Sequence, residues 1–138
     1  MKKLSIKQKK IICYSFQLIA GLILAKASYD KFSGQEMTLI IFKSLSIEKT
    51  RLVIATVEGL ASFLLISNHL PHYGAILGLG TMLGAFIAHI SVLGIEVNND
   101  GGMMVMLMVV VIISTITVMY LRRKDLPLIG HTFKKEST

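Results

Sequence analysis

Four apolar stretches, each close to the length needed to cross a bilayer, occupy most of this 138-residue chain. Three of them enclose a single ionisable side chain, Lys26, Glu58 or His89. Crossing about 30 Å of hydrocarbon takes roughly 20 helical residues at about 1.5 Å each. The candidate spans fall at about 11–29, 52–70, 73–95 and 103–121, flanked by basic tails at 1–10 and 122–138. A backbone inside hydrocarbon must satisfy its own polar groups, so runs of this kind fold as helices. The expected fold is all-α, a single integral membrane domain built as a four-transmembrane-helix bundle. With 53% hydrophobic residues, little chain is left for a soluble domain.

Charge sets the expected orientation, because cytoplasmic flanks collect Lys and Arg. Lys2, Lys3, Lys7, Lys9 and Lys10 precede the first span, and Arg122, Arg123, Lys124, Lys134 and Lys135 follow the fourth. The segment between spans one and two carries Lys31, Lys43, Lys49 and Arg51. Both termini are therefore expected inside, with the protein multi-pass in the inner (cytoplasmic) membrane. The net charge of +7 reads as topology and as attraction to the lipid bilayer's anionic headgroups. The basic clusters lack the interleaved aromatics of single-strand binders, so nucleic acid is not an expected partner. Ala25-Lys26-Ala27 resembles a signal-cleavage site, but a Lys inside it and an apolar run at the upper limit of a signal core favour a retained span.

Cysteine and histidine usage narrows the chemistry. Cys13 is alone, so dithiol chemistry within one chain is excluded. His89 is the only histidine inside a span, so paired axial haem ligands would need a second subunit. His69 and His72 flank Pro71 in a short turn and are expected to lie at the interface without a metal.

Between spans one and two, Ser33 followed by Glu36 fits a capping box, and Met37, Ile40, Ile41 and Leu45 repeat at helical spacing beside Phe42. This predicts a short amphipathic interfacial helix, as a cover or as a gate. Gly74 and Gly78 suit close helix packing, and Gly80, Gly84 and Ala88 repeat that spacing on another face, compatible with internal packing or a homo-oligomer. The methionines of span four read as packing residues.

Alternating helix directions place Glu58 and His89 each about 9 Å below the outer surface. Lys26 falls in the last turn of span one and Lys31 at the interface, so Lys26, Lys31, Glu58 and His89 are the candidate ligand-binding residues. Glu58 and His89 are the candidates for proton transfer. A lone charge in hydrocarbon costs at least about 2.5 to 3.5 kcal/mol, so Glu58 must face inward and find a partner, either His89 or a lysine.

Lys31-Phe32-Ser33-Gly34, Val57-Glu58-Gly59, Gly84-Ala85-Phe86-Ile87-Ala88-His89 and Asp100-Gly101-Gly102 together resemble, in order and spacing, the DoxX-like family of small four-helix membrane proteins, over about residues 11–123. That resemblance implies a four-helix bundle and, for some relatives, association with quinone-linked oxidation of sulfur compounds or with membrane redox complexes. By position, Lys31, Glu58 and His89 are the family-like polar residues, and Lys26 is an addition. The single Cys13 departs from the thiol chemistry suggested by the related methylamine-utilisation proteins.

The resulting expectation is an accessory or quinone-binding subunit beside a redox partner. If it catalyses, it would be part of a quinone-linked oxidoreductase. The alternatives are a proton-coupled carrier or permeability element for a small solute, and a structural scaffold in a membrane complex.

Overall fold

The computed structural model describes residues 4–126, so Lys2, Lys3, Lys134 and Lys135 lie outside the described residues. The described chain is helical: α1 (Ile6–Ser33), α2 (Glu36–Ser44), α3 (Arg51–Ile66), α4 (Pro71–Ala88) and α5 (Met103–Leu121). A π turn, His89–Leu93, prolongs α4. Three helices are long and apolar enough to cross a membrane: Ile6–Ser33, Pro71–Leu93 and Met103–Leu121.

Each helix end has a local cause. Ser5 and Gln8 form a reciprocal capping box that starts α1 ahead of the expected residue 11. Gly34, at φ 68°, takes the left-handed conformation that closes α1, and the N–H of Gln35 returns to the Asp30 carbonyl. This corrects the expected Ser33–Glu36 capping box: Ser33 stays inside α1 and donates to the Asp30 carbonyl, and Gln35 precedes α2 without a side-chain cap. The stretch expected as span two, 52–70, is also shorter, since α3 has 16 residues, about 24 Å of helix. Ser67 turns extended, and Pro71, pre-set for the first helical position, opens α4 instead. Span four, 103–121, is reproduced to the residue.

The four longer helices form a ring: α1 packs on α3 and α5, α4 packs on the same two, and α1 and α4 touch across the diagonal. Ser28 Oγ donates to the Ala55 carbonyl at 2.7 Å and Ser62 Oγ to the Gly21 carbonyl at 2.7 Å, which pins antiparallel α1 and α3 at two levels. Small residues permit the approach. A Cβ at Gly74 would lie 2.5 Å from the Leu65 nitrogen and 2.7 Å from the Ala61 oxygen; one at Gly78 would lie 2.8 Å from Leu24 Cδ1 and 3.5 Å from Thr115 Cγ2. Leu24, Leu65, Val111 and Val118 fill the interior between these contacts.

The start of α1 and the end of α5 share one end of the ring, called here the terminal end. The opposite, loop end carries α2 and the 94–102 connection. The short helix α2 buries Thr38 and Phe42 there, leaving Leu39 and Ile40 exposed. Its buried face is thus rotated from the expected stripe, with Ile40 outside it. Val97 from the other connection is also buried.

Glycine substitutions distinguish the two faces of α4. Gly74→Ala drives a Cβ into backbone and should cost about 1–3 kcal/mol. At Gly84 a Cβ meets nothing within 4 Å, so Gly84→Ala should be neutral or stabilise by up to about 1 kcal/mol through helix propensity. Unfolding measured in one detergent, with equal effects at the two sites, would refute the placement of α3 against Gly74.

Candidate functional site

The most confined charges in the described residues are Lys31 and Glu58, whose Nζ and Oε2 lie 2.9 Å apart with side chains 17% and 2% exposed. Helical geometry brings them together. Side chains lean toward the N-terminus of their own helix, so Lys31 on α1 leans into the bundle, and Glu58 on the antiparallel α3 leans out to meet it. Ser28, one turn from Lys31, ties α1 to α3 just beside them, and Gly59 leaves room for its hydroxyl, since a Cβ there would lie 3.0 Å from Ser28 Oγ. On the loop-end side, Arg51 Nη1 donates to the Lys31 carbonyl, fixing the start of α3 against α1. Removing two charges from water costs several kcal/mol per ion, and their mutual attraction offsets this only at short range.

The other expected site residues fall elsewhere. Lys26, whose side chain is 66% exposed, pairs with Asp30 one turn along α1 at 2.5 Å and takes no part in the buried pair. His89 is 3% exposed and lies in the π turn. Its Nδ1 shares a 2.9 Å hydrogen bond with the Ala85 carbonyl, and its buried Nε2 has no partner. Among the described residues no hydrogen bond or ion pair joins it to Glu58. Measured from the contact of Gly74 with Ala61 and Leu65, Glu58 lies about one to two turns toward the loop end and His89 about four. The equal depth expected from the sequence therefore does not hold for their backbones. The bond to the Ala85 carbonyl turns the imidazole back along its own helix, by less than a turn.

Asp100 organises the loop end. Its Oδ1 accepts from the Val97 and Gly102 N–H groups and its Oδ2 from the Met104 N–H, all at 3.0 Å, so one carboxylate closes the 97–102 turn and caps α5. An Asp shortly before an apolar run is a helix-start signal that was legible in the sequence. Arg51, Ser28 and Ser62 had no comparable signal, since their partners are backbone carbonyls on another helix.

An open groove of about 550 Å³ follows α3 from Gly59 past Phe63 and Ile66 to His69, on the terminal side of the ion pair. Among the described residues no group of three or more His, Cys, Asp or Glu is placed to hold a metal ion. Comparison with known proteins finds no matching family, no matching curated protein and no matching solved structure.

The Met104 N–H holds the Asp100 carboxyl below its ordinary value of 3.8, helped by the Val97 and Gly102 N–H groups and by His89, against partial burial. A depressed folded value stabilises above 3.8 and loses that contribution as pH falls through the folded value. Asp100→Ala should cost about 1 kcal/mol at neutral pH, as for a lost helix cap, and should flatten the acid limb of the stability profile. An unchanged acid limb in Asp100→Ala would contradict this role.

Proposed function

We propose that the chain is a four-span membrane protein of the DoxX-like kind whose loop end binds a small apolar ligand bearing carbonyl groups, with a quinone as the best fit. In this reading it serves as an accessory subunit of a membrane redox process, in the inner membrane with both termini inside. The short α3 counts as the fourth span: it is packed on both sides by longer helices, and its exposed positions are apolar apart from Thr56, whose hydroxyl donates to the Leu52 carbonyl. Its shortfall against about 30 Å is of a size that local bilayer adjustment accommodates.

The observation that carries the ligand reading is an unpartnered, buried His89 Nε2 in the same half of the bundle as a buried Lys31–Glu58 pair. With Nδ1–H held by the Ala85 carbonyl, His89 Nε2 accepts from a hydroquinone hydroxyl when the ring is neutral and donates to a quinone carbonyl as imidazolium. The Lys31 ammonium can also donate to a quinone carbonyl, and reduction of the ring by electrons from a redox partner takes up protons that a carboxyl and an imidazole can relay. Apolar walls hold the ring and tail. Phe42 and Val97, buried at the loop end, are suited to exclude water.

The carrier reading has less support. Ser114 and Thr115 are buried toward the terminal half, but their hydroxyls donate to the Val110 and Val111 carbonyls of their own helix and offer no relay between the two ends. A scaffold role would leave ligand retention insensitive to His89.

Native mass spectrometry of the protein extracted in its own lipid should reveal a retained quinone. Titration with a short-chain quinone should show affinity reduced about tenfold in His89→Ala, the loss of one hydrogen bond in a dry site. Lys26→Gln should leave it unchanged. No retained quinone together with equal affinity in wild type and His89→Ala would overturn the reading.

A further inference from the structure

Besides Glu58 Oε2, whose one polar contact is the ion pair with Lys31, four buried side-chain atoms among the described residues have no hydrogen-bond partner, and these groups divide between the two ends of the bundle. Glu58 Oε2 and His89 Nε2 belong to the loop-end site. Gln17 Oε1, His72 Nδ1 and Arg122 Nε do not. Gln17 is 0% and His72 8% exposed, so both residues are buried.

Helix register brings these three to one level. Gly78 meets both Leu24 and Thr115, so α1, α4 and α5 share a layer there. About two turns toward the terminal end, on the same helix faces, stand Gln17 on α1, Pro71 at the start of α4 and Arg122 at the end of α5, with His72 beside Pro71 at the same level. His72 and Arg122 are within electrostatic reach of each other.

The donor chemistry of this layer is uneven. Arg122 Nε can only donate, and an imidazole Nδ1 donates in one neutral tautomer and when charged. The Gln17 amide donates to Cys13 Sγ at 3.1 Å. Exchanging its O and N, which are alike in shape, would aim the NH2 at the layer and let the oxygen accept the thiol S–H. The N-terminus of α4 adds the positive end of a helix dipole. Asp125, the acid in electrostatic reach of His72, is exposed, and no ion pair within 4 Å joins it to His72 or Arg122. Each buried polar group left unmatched costs about 1–3 kcal/mol, and a proton on His72 would add repulsion with Arg122. An anion with several acceptor oxygens removes both penalties; water removes only the first.

We propose that Gln17, His72 and Arg122 form a binding site for a phosphate oxyanion at the terminal end of the bundle. The phosphodiester of an anionic lipid in the adjoining leaflet and free inorganic phosphate share this chemistry. The site is separate from Lys31, Glu58 and His89, so it stands or falls independently of the quinone reading.

Two arms distinguish the sources. Delipidated protein in neutral detergent is titrated with inorganic phosphate against chloride at constant ionic strength, reading the thermal midpoint. In parallel, protein from nanodiscs containing phosphatidylglycerol and phosphatidylcholine is released in native mass spectrometry and its retained lipid counted. Midpoint elevation by phosphate supports a free ion, and preferential retention of phosphatidylglycerol supports the lipid. In whichever arm responds, Arg122→Gln and Gln17→Leu should each weaken binding about tenfold, while Lys124→Gln, the same charge change at an exposed neighbour, should not. Gln17→Leu keeps the test open if Arg122→Gln fails to fold. No response in either arm, or equal losses in Arg122→Gln and Lys124→Gln, would overturn the proposal and leave a hydrated polar layer or diffuse surface attraction.

Discussion

The bundle depends on one buried ion pair. Glu58 sits on an apolar helix with its side chain 2% exposed, and among the described residues only Lys31, 2.9 Å away, offsets the cost of a charge there. That requirement fixes how far α1 and α3 can slide, because a shift of one turn would carry Lys31 beyond reach. The neighbouring contacts agree with the same register: Ser28 on Ala55, Ser62 on Gly21 and Arg51 on the Lys31 carbonyl. Apolar packing alone specifies register weakly in hydrocarbon, where lipid tails compete with leucines on equal terms. Polar pins of this kind give the bundle a single alignment.

Once α1 and α3 are aligned, the other helices follow. Gly74 admits α4 against the α3 backbone, and Gly78 brings Leu24 and Thr115 into one layer. Asp100 then closes the connection into α5. Buried polar groups collect above and below the apolar centre, with Lys31, Glu58 and His89 toward the loop end and Gln17, His72 and Arg122 toward the terminal end. Such a separation suits two binding events at different depths better than a continuous path.

The sequence revealed the helical class and the core of every apolar helix, because hydrophobic runs and Gly or charge boundaries are local signals. Span four was legible to its ends since Gly102 and Arg122 bracket an unbroken apolar run. Residues 67–70 differ from the expected span because bilayer length alone counts them in: Ser67, Asn68 and His69 are polar, Ser67 turns extended, and Pro71 starts a new helix. Glu58 was recognisable as a buried charge from its surroundings alone. Its partner stayed open between His89 and a lysine, because depth counted by residue ignores the lean of side chains: lean unites Lys31 with Glu58 across a turn and leaves Lys26 with Asp30 on the exposed side. His72 was assigned to a turn, whereas Pro71 makes it the second residue of α4 and buries it.

The most direct test of the ion pair as the bundle's keystone is a double-mutant cycle on unfolding free energy, with Lys31→Met, Glu58→Leu and both together in one lipid and at one pH. Each single change leaves the opposite charge without its partner and should cost about 3–5 kcal/mol, while the double change, apolar on both sides, should recover most of that loss. If the two losses simply add, the charges do not hold the helices in register, and the account of how this chain aligns its bundle is contradicted.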